Sequence, residues 1–240
     1  MPPSLPGGGE RVRHGEKDMA ESVLVVPRKF LFPPHHPSVQ GFAESSADRF
    51  LGLVRTHGFF APRADAETDP SLKQVIPYAV IFSGRRVFVM KRSRGGGESR
   101  LHDQVTLGVG GHVNPADLEG TDLASAIEAG FRRELAEEVV IECGHRSRII
   151  GLLNDDSNAV GQVHYGVVYR VDLDQPSVRV RETDVLDGEL ADPETLGRYE
   201  DRMETWSSIL RAHFWPGEET AGGGSHPSPP RPPETDAEEG

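Results

Sequence analysis

Apolar residues recur along this chain with two different periods. Gln74–Phe82 and Arg86–Lys91 are dense in β-branched and aromatic residues, and Ser83-Gly84-Arg85 between them reads as a hairpin turn. Pro77 has no N–H to offer a ladder, so it predicts a strand edge or a bulge. Val23–Val26, ended by Pro27, reads as a short edge strand. Further strands are expected at about 146–153 and 162–172 around a polar loop, 154–161, and at 105–113 running into a turn. Spacings of three and four predict helices. Phe50, Leu51 and Val54 share one face, with Ser46 as its cap. Leu196, Tyr199, Met203, Trp206, Leu210 and Phe214 form one stripe, expected as a single closing helix on the core.

One helical stretch breaks the usual separation of faces. If 121–139 is a helix, Glu134, Glu137 and Glu138 stand at i, i+3 and i+4, within an arc of roughly 100°. Like charges so spaced destabilise a bare helix by a few tenths of a kcal/mol per pair. They also share a side with Leu123 and Ile127, where an apolar face should be. A hard divalent cation resolves both oddities, because Mg²⁺ takes carboxylate oxygens together with waters and phosphates. Thr121 is the expected N-cap with Asp122 in the first turn; Ser125 with Glu128 offers a later capping box.

The run Arg133-Glu134-Leu135-Ala136-Glu137-Glu138, behind the turn Gly110-Gly111-His112, resembles the Nudix box, G-x5-E-x7-R-E-U-x-E-E-x-G-U with U aliphatic. Three features depart from that pattern. Gly111 lies eight residues further from Arg133 than the family spacing, Ser125 stands where the upstream glutamate falls, and Val140 replaces the last glycine, with Ile141 aliphatic after it. Lys73–Tyr78, Gly96–His102, Gly108–Pro115 and Asn154–Asn158 are similar to segments of a bacterial Nudix subgroup described as predicted phosphoesterases. The similarity extends over about residues 22–214.

The resemblance implies an α+β fold, an α/β/α sandwich with a mixed sheet. It also implies a Mg²⁺- or Mn²⁺-dependent hydrolase cleaving a phosphoanhydride by water attack. Glu137 and Glu138 are then metal ligands, Glu134 a ligand or the base, and the Gly111 carbonyl a further ligand. Arg133 orients the cluster through charge-assisted hydrogen bonds. Expected substrate contacts are Arg92, Arg100, His112, His164 and Asp155, with Arg94 as another candidate arginine. Glu182 is a downstream glutamate for metal or water, in competition with Asp184, Asp187 and Glu189. Each has a plainer reading: a solvated arginine, a core histidine, or an Asx turn in the 154–158 loop. Two other functions compete, a non-catalytic ligand-sensing Nudix domain and an isomerase-type one.

Composition narrows the partners. With 240 residues, 27% charged and 36% hydrophobic, the chain suits one soluble domain, expected at 21–215. A net charge of −12 argues against nucleic acid, whose phosphates call for a basic face. The substrate is instead expected to be small, phosphorylated and nucleotide-like; a homodimer is compatible with the family. Residues 1–20 and the acidic, Pro/Gly-rich 216–240 are expected to be disordered tails. The lone Cys143, with no apolar run of membrane length and no signal-like start, suggests a cytoplasmic protein. His35-His36 has no third ligand nearby.

Overall fold

The computed structural model describes residues 21–33, 39–92, 104–183 and 186–216, without the side chain of Arg92. In chain order come β1 (Ser22–Pro27), α1 (Arg28–Leu31), β2 (Gly41–Glu44), α2 (Asp48–His57), β3 (Phe59–Pro62) and α3 (Arg63–Ala66). The central hairpin follows as β4 (Leu72–Ser83) and β5 (Arg86–Arg92), then β6 (Val105–Thr106) and β7 (Gly108–Gly110). A 3-10 turn at Pro115–Asp117 leads into the long helix α4 (Leu123–Glu138). The remainder is β8 (Val139–Ile141), β9 (His145–Asn154), α5 (Ala159–Val163), β10 (His164–Leu173), β11 (Val178–Val180) and β12 (Leu186–Ala191). Last come 3-10 turns at Pro193–Arg202 and the helix α6 (Thr205–Phe214).

Strand β4 is the spine of the sheet: every residue from Lys73 to Phe82 is buried. It is covered on both faces. Val75, Ala79 and Ile81 join a core with Phe50 and Val54 of α2 and Ile127, Phe131 and Leu135 of α4. Tyr78, Val80 and Phe82 belong to a second core that includes Leu196 and Leu210. Burying each large apolar side chain contributes about 1.5–3 kcal/mol, which is why a near-continuous hydrophobic strand settles between two helical layers. The result is an α+β domain, an α/β/α sandwich on a mixed sheet ordered β12-β5-β4-β10-β9-β2. Strand β10 runs parallel to β4 (His164 opposite Gln74, Asp172 opposite Phe82), and the other pairings are antiparallel. The 83–86 turn is a tight hairpin with Gly84 at φ +63°.

Several local expectations are corrected. Val23–Val26 is not an edge, since β1 lies between β3 and β4. Pro77 sits inside a central strand. On that side β4 pairs with β1 only through Gln74 and with β7 only from Tyr78, so the missing N–H falls between two partners. Asp122, not Thr121, caps α4 by accepting from Ala124 N at 3.0 Å. Ser125 is inside the helix and donates to Asp122 O, while Glu128 pairs with Arg132, so the alternative capping box is absent. Ala47, with φ +64°, precedes α2 where Ser46 was expected to cap it. The closing stripe is two pieces: the chain extends at Met203–Glu204, where Glu204 N donates to Val105 O. Helix α5, capped by Asn158 Oδ1 accepting from Gly161 N, lies in the stretch read as a loop. Residues 1–20 and 217–240, which make up the two tails but for Pro216, lie outside the described residues. Among those described, no helix is long and apolar enough to cross a membrane.

Candidate functional site

The box helix and the glycine turn meet because neither glycine carries a side chain. A Cβ on Gly111 would stand 2.2 Å from Glu134 Cδ, so the carboxylate of α4 packs directly on the turn's backbone. A Cβ on Gly110 would lie 2.7 Å from Pro77 O, which lets β7 close on β4. Arg133 ties the two elements together. Its Nε and Nη2 donate to Asp117 at 2.8 and 3.0 Å, and Nη2 also donates to His112 O at 2.8 Å. Nη1 donates to Glu134 Oε1 at 2.7 Å and to Glu137 Oε2 at 3.1 Å. The guanidinium therefore aligns two box glutamates from behind.

The charge state of this cluster follows from its surroundings. The hydrogen bonds it donates to Asp117 and Glu134 hold the Arg133 guanidinium protonated, well above its ordinary range, against the opposing effect of burial. Burial opposes ionisation of Asp117, but Arg133 and the Asn114 N–H hold its carboxyl below the usual value. Burial lifts the Glu134 carboxyl above the ordinary glutamate range; Arg133 opposes this, and Glu137 and Asp117 add to it. A half-buried carboxylate of raised pKa beside two more carboxylates is a place that added positive charge stabilises.

Glu134, Glu137 and Glu138 line a cavity of about 480 Å³, together with Glu182, Glu204 and Gly110. Glu182 follows Arg181, whose N–H donates to Glu138 O at the end of the box helix. Glu204 faces from the start of α6, with its Oε1 accepting from the hydroxyls of Tyr78 (2.5 Å), Thr106 (2.9 Å) and Ser207 (3.0 Å). Among the described residues no three acid, histidine or cysteine side chains already form an ion cage; Arg133 draws one oxygen each of Glu134 and Glu137. The donor set nonetheless suits a hard divalent ion, being all carboxylate oxygen around a polar, open cavity.

A second cavity, about 700 Å³, adjoins the first and shares Tyr78, Gln104, Gly110 and Glu204 with it. Gly111, His112, His164 and Trp206 line it, and the two histidine rings lie 5.6 Å apart between centroids. Burial pulls the His112 imidazole down to about 4 and lowers that of His164, so both are neutral near pH 7.

The remaining candidates are dispersed. Asp155 lines neither cavity: it is buried, accepting from Ser157 N at 3.0 Å and Asn158 Nδ2 at 2.9 Å, as an Asx turn does. Its neighbour Asp156 accepts from Arg28, Gln40, Asn154 and the wholly buried Lys73, whose Nζ also bonds the carbonyls of Gly161 (2.7 Å) and His164 (3.2 Å). The polar loop is thus a structural clamp behind the second cavity. Glu189 is engaged by Lys91 at 2.7 Å and by Tyr199, and Asp187 lies opposite Lys91 in the β5–β12 ladder. Cys143 is partly exposed and donates to Gln175 O at 3.2 Å. Arg94, Arg100, Asp184 and His35-His36 lie outside the described residues, as does the side chain of Arg92. Sequence reading missed Asp117, Tyr78 and Glu204. Asp117 had a local signal, a Pro-led turn before the box helix. Glu204 was hidden inside an unbroken helical periodicity.

No family model matches the chain. It is 36% identical over 200 residues to protein YmaB of Bacillus subtilis (strain 168), spanning 80% of this chain and 96% of YmaB. It also resembles the crystal structure of Tm1382, described as a candidate Nudix hydrolase. That match has a TM-score of 0.68 and 34% identity, over 81% of this chain and 98% of Tm1382.

Proposed function

The chain belongs to the Nudix superfamily, and from that premise we propose that it is a Mg²⁺- or Mn²⁺-dependent hydrolase cleaving a phosphoanhydride in a small, nucleotide-like diphosphate. The observation that carries this reading is the convergence of Glu134, Glu137, Glu138, Glu182 and Glu204 on one cavity, with the Glu134 carboxylate seated against Gly111. Glu134, Glu137, Glu138 and the Gly111 carbonyl would hold the ion. When bound, it supplies charge neutralisation for the phosphoryl oxygens and lowers the pKa of a bound water.

The chain's own groups do the rest. Arg133 fixes the azimuth of Glu134 and Glu137 by its fork of hydrogen bonds, and Asp117 fixes Arg133 in turn. Glu134, whose carboxyl burial lifts above the ordinary glutamate range, is suited to take a proton from a water. Glu182 and Glu204 flank the same space and add negative charge to it. The neutral His112 and His164 and the ring of Trp206 contact the organic half of the substrate in the adjoining cavity. The lone Cys143 suits a reducing, cytoplasmic setting.

The test is turnover. The protein is incubated with Mn²⁺ and a panel of nucleoside diphosphate sugars, dinucleoside polyphosphates and nucleoside triphosphates, in parallel with Glu138→Gln. Metal-dependent release of phosphate or a nucleoside monophosphate, lost in the variant at unchanged melting temperature, is expected. Tight binding without turnover across the panel would overturn the hydrolase reading in favour of a sensor.

A further inference from the structure

We propose that a cationic notch on the open edge of β9 holds the acid pair Glu218-Glu219 of this chain's own C-terminal segment, so that the segment covers the edge. The notch shares no lining residue with the two cavities described above, and the proposal does not depend on the hydrolase reading.

Strand β9 is paired along only part of its length on the side away from β10. There β2 pairs with Gly151–Asn154, Ser45 N donates to Ile150 O, and the chain then turns off into α2. Among the described residues no backbone pairs with 145–149 on that side, and His145, Arg146, Ser147 and Arg148 are all exposed. An open edge offers its N–H and C=O groups to any other strand, and native proteins blunt such edges with charge or a covering segment. In a chain of net charge −12, this stretch carries two arginines and no acid.

The notch opens where β2 leaves the edge. Phe42, Glu44, Arg148, Ile150, Arg170 and Phe214 enclose about 220 Å³. Arg148 and Arg170 stand opposite each other in the β9–β10 register. Asp172 holds Arg170 at 2.7 Å, and the Glu44 carboxylate lies 3.0 Å from His213 Nε2. The side chain of Arg148, by contrast, has no partner among the described residues. An incoming carboxylate finds its counter-ion there, between two aromatic walls.

The path of the chain decides the occupant. Pro216 is the last described residue. Just before it, the Phe214 ring lies 5.9 Å from that of Phe42, and the Trp215 ring lies 6.0 Å from that of Phe82. Arg170 Cζ is 3.9 Å from the centre of the same Phe82 ring. Glu218 and Glu219 follow Pro216 by two and three residues. At about 3.3–3.6 Å per residue they reach about 7–11 Å beyond it. From Phe82 on β4 across β10 to Arg148 on β9 is two strand spacings, about 10 Å. The acid pair is therefore delivered to the arginines. A second copy fits worse, because twofold pairing of β9 with itself, centred on Ser147, sets arginine against arginine. Exposed ion pairs are weak between separate molecules, but a short tether supplies an effective concentration in the range of about millimolar.

The test measures proximity in the full-length chain. Cys143, the chain's only cysteine, is partly exposed two residues before β9 and takes a nitroxide label. Paramagnetic broadening of the Glu218, Glu219 and Thr220 amide signals then reads how near the acid pair comes to β9. Wild type is compared with Arg148→Glu and with a charge-swapped variant, Arg148→Glu with Glu218→Arg and Glu219→Arg, and thermal melting checks that all three are folded. Broadening is expected in wild type at low salt, unchanged on tenfold dilution. It should fall at least twofold in Arg148→Glu and in 1 M NaCl, where screening is nearly complete, and return in the charge-swapped variant. Broadening indifferent to Arg148 or to salt would overturn the proposal, as would failure of the swap to restore it. Broadening that disappears on dilution would overturn it in favour of a second copy on this edge.

Discussion

Replacing Gly111 by alanine adds one methyl group at the point where fold and chemistry touch. That carbon would stand 2.2 Å from Glu134 Cδ and 2.3–2.4 Å from its two oxygens, whereas ordinary contact begins at 3.4 Å. The carboxylate must therefore retreat by about 1.2 Å, the difference between those two distances. Gly111 is not among the glycines with positive φ, so alanine fits the backbone. The obstructing atoms are also the free end of a side chain. The cost to folding should thus stay at or below about 1 kcal/mol, partly offset by the lower entropy of the unfolded chain. The cost to catalysis should be larger. A misplacement of about 1 Å in a catalytic constellation can lower the rate about 100-fold, or about 2.7 kcal/mol of barrier. The assay pairs Mn²⁺-dependent turnover with thermal melting, and uses Gly52→Ala as control, since nothing lies within 4 Å of a Cβ there. Gly111→Ala should melt near wild type with kcat down about two orders of magnitude; the control should keep its activity. Wild-type kcat in Gly111→Ala would refute the claim that Glu134 works from its seat on the turn.

Arg133→Lys keeps the charge but loses the fork, leaving the buried Asp117 short of donors. Stability should fall by about 1–3 kcal/mol in urea denaturation and kcat at least tenfold, whereas unchanged kcat would show that the fork does not align the glutamates. Asp156→Asn leaves the buried Lys73 ammonium without its anion, and should cost about 3–5 kcal/mol at pH 7 by denaturant titration. The bond from Arg28 and, against burial, those from Lys73, Gln40 and Asn154 hold the Asp156 carboxyl well below its unfolded value. Its stabilisation is therefore complete above about pH 4, the unfolded value, and is lost as pH falls further. The wild type should lose more stability than Asp156→Asn between pH 5 and 2; parallel pH profiles would contradict this. Glu204→Gln keeps an oxygen for the three hydroxyls but removes the charge from the cavity. It should lower kcat severalfold with melting within a few degrees, and a collapse of the fold would instead mark Glu204 as purely structural.

The strands and the box helix were legible because their apolar periods agree with their burial: β4 reads as a buried strand and is one, and α4 turns Ile127, Phe131 and Leu135 inward. What local pattern could not supply was long-range pairing. Pro77 looked like an edge because its sequence does not tell that β1 and β7 share one side of β4 end to end. Periodicity ran through Met203–Glu204 although the chain extends there, pinned by Val105 O and by a carboxylate turned to Tyr78, Thr106 and Ser207. The box glutamates were found by their spacing, and the structure gathers all three on one cavity. Asp155 has the composition of a contact residue but the hydrogen bonds of a turn, a distinction only coordinates make.

The central claim is that carboxylates brought together by α4 beneath the Gly110-Gly111 turn hold a divalent ion. Electron paramagnetic resonance titration of free Mn²⁺ at pH 7.5 tests it without knowledge of the substrate. Wild type should remove at least one equivalent of Mn²⁺ from solution, and a Glu137→Gln, Glu138→Gln double variant of unchanged melting temperature should lose that site. Equal stoichiometry and affinity in the two proteins would contradict the account.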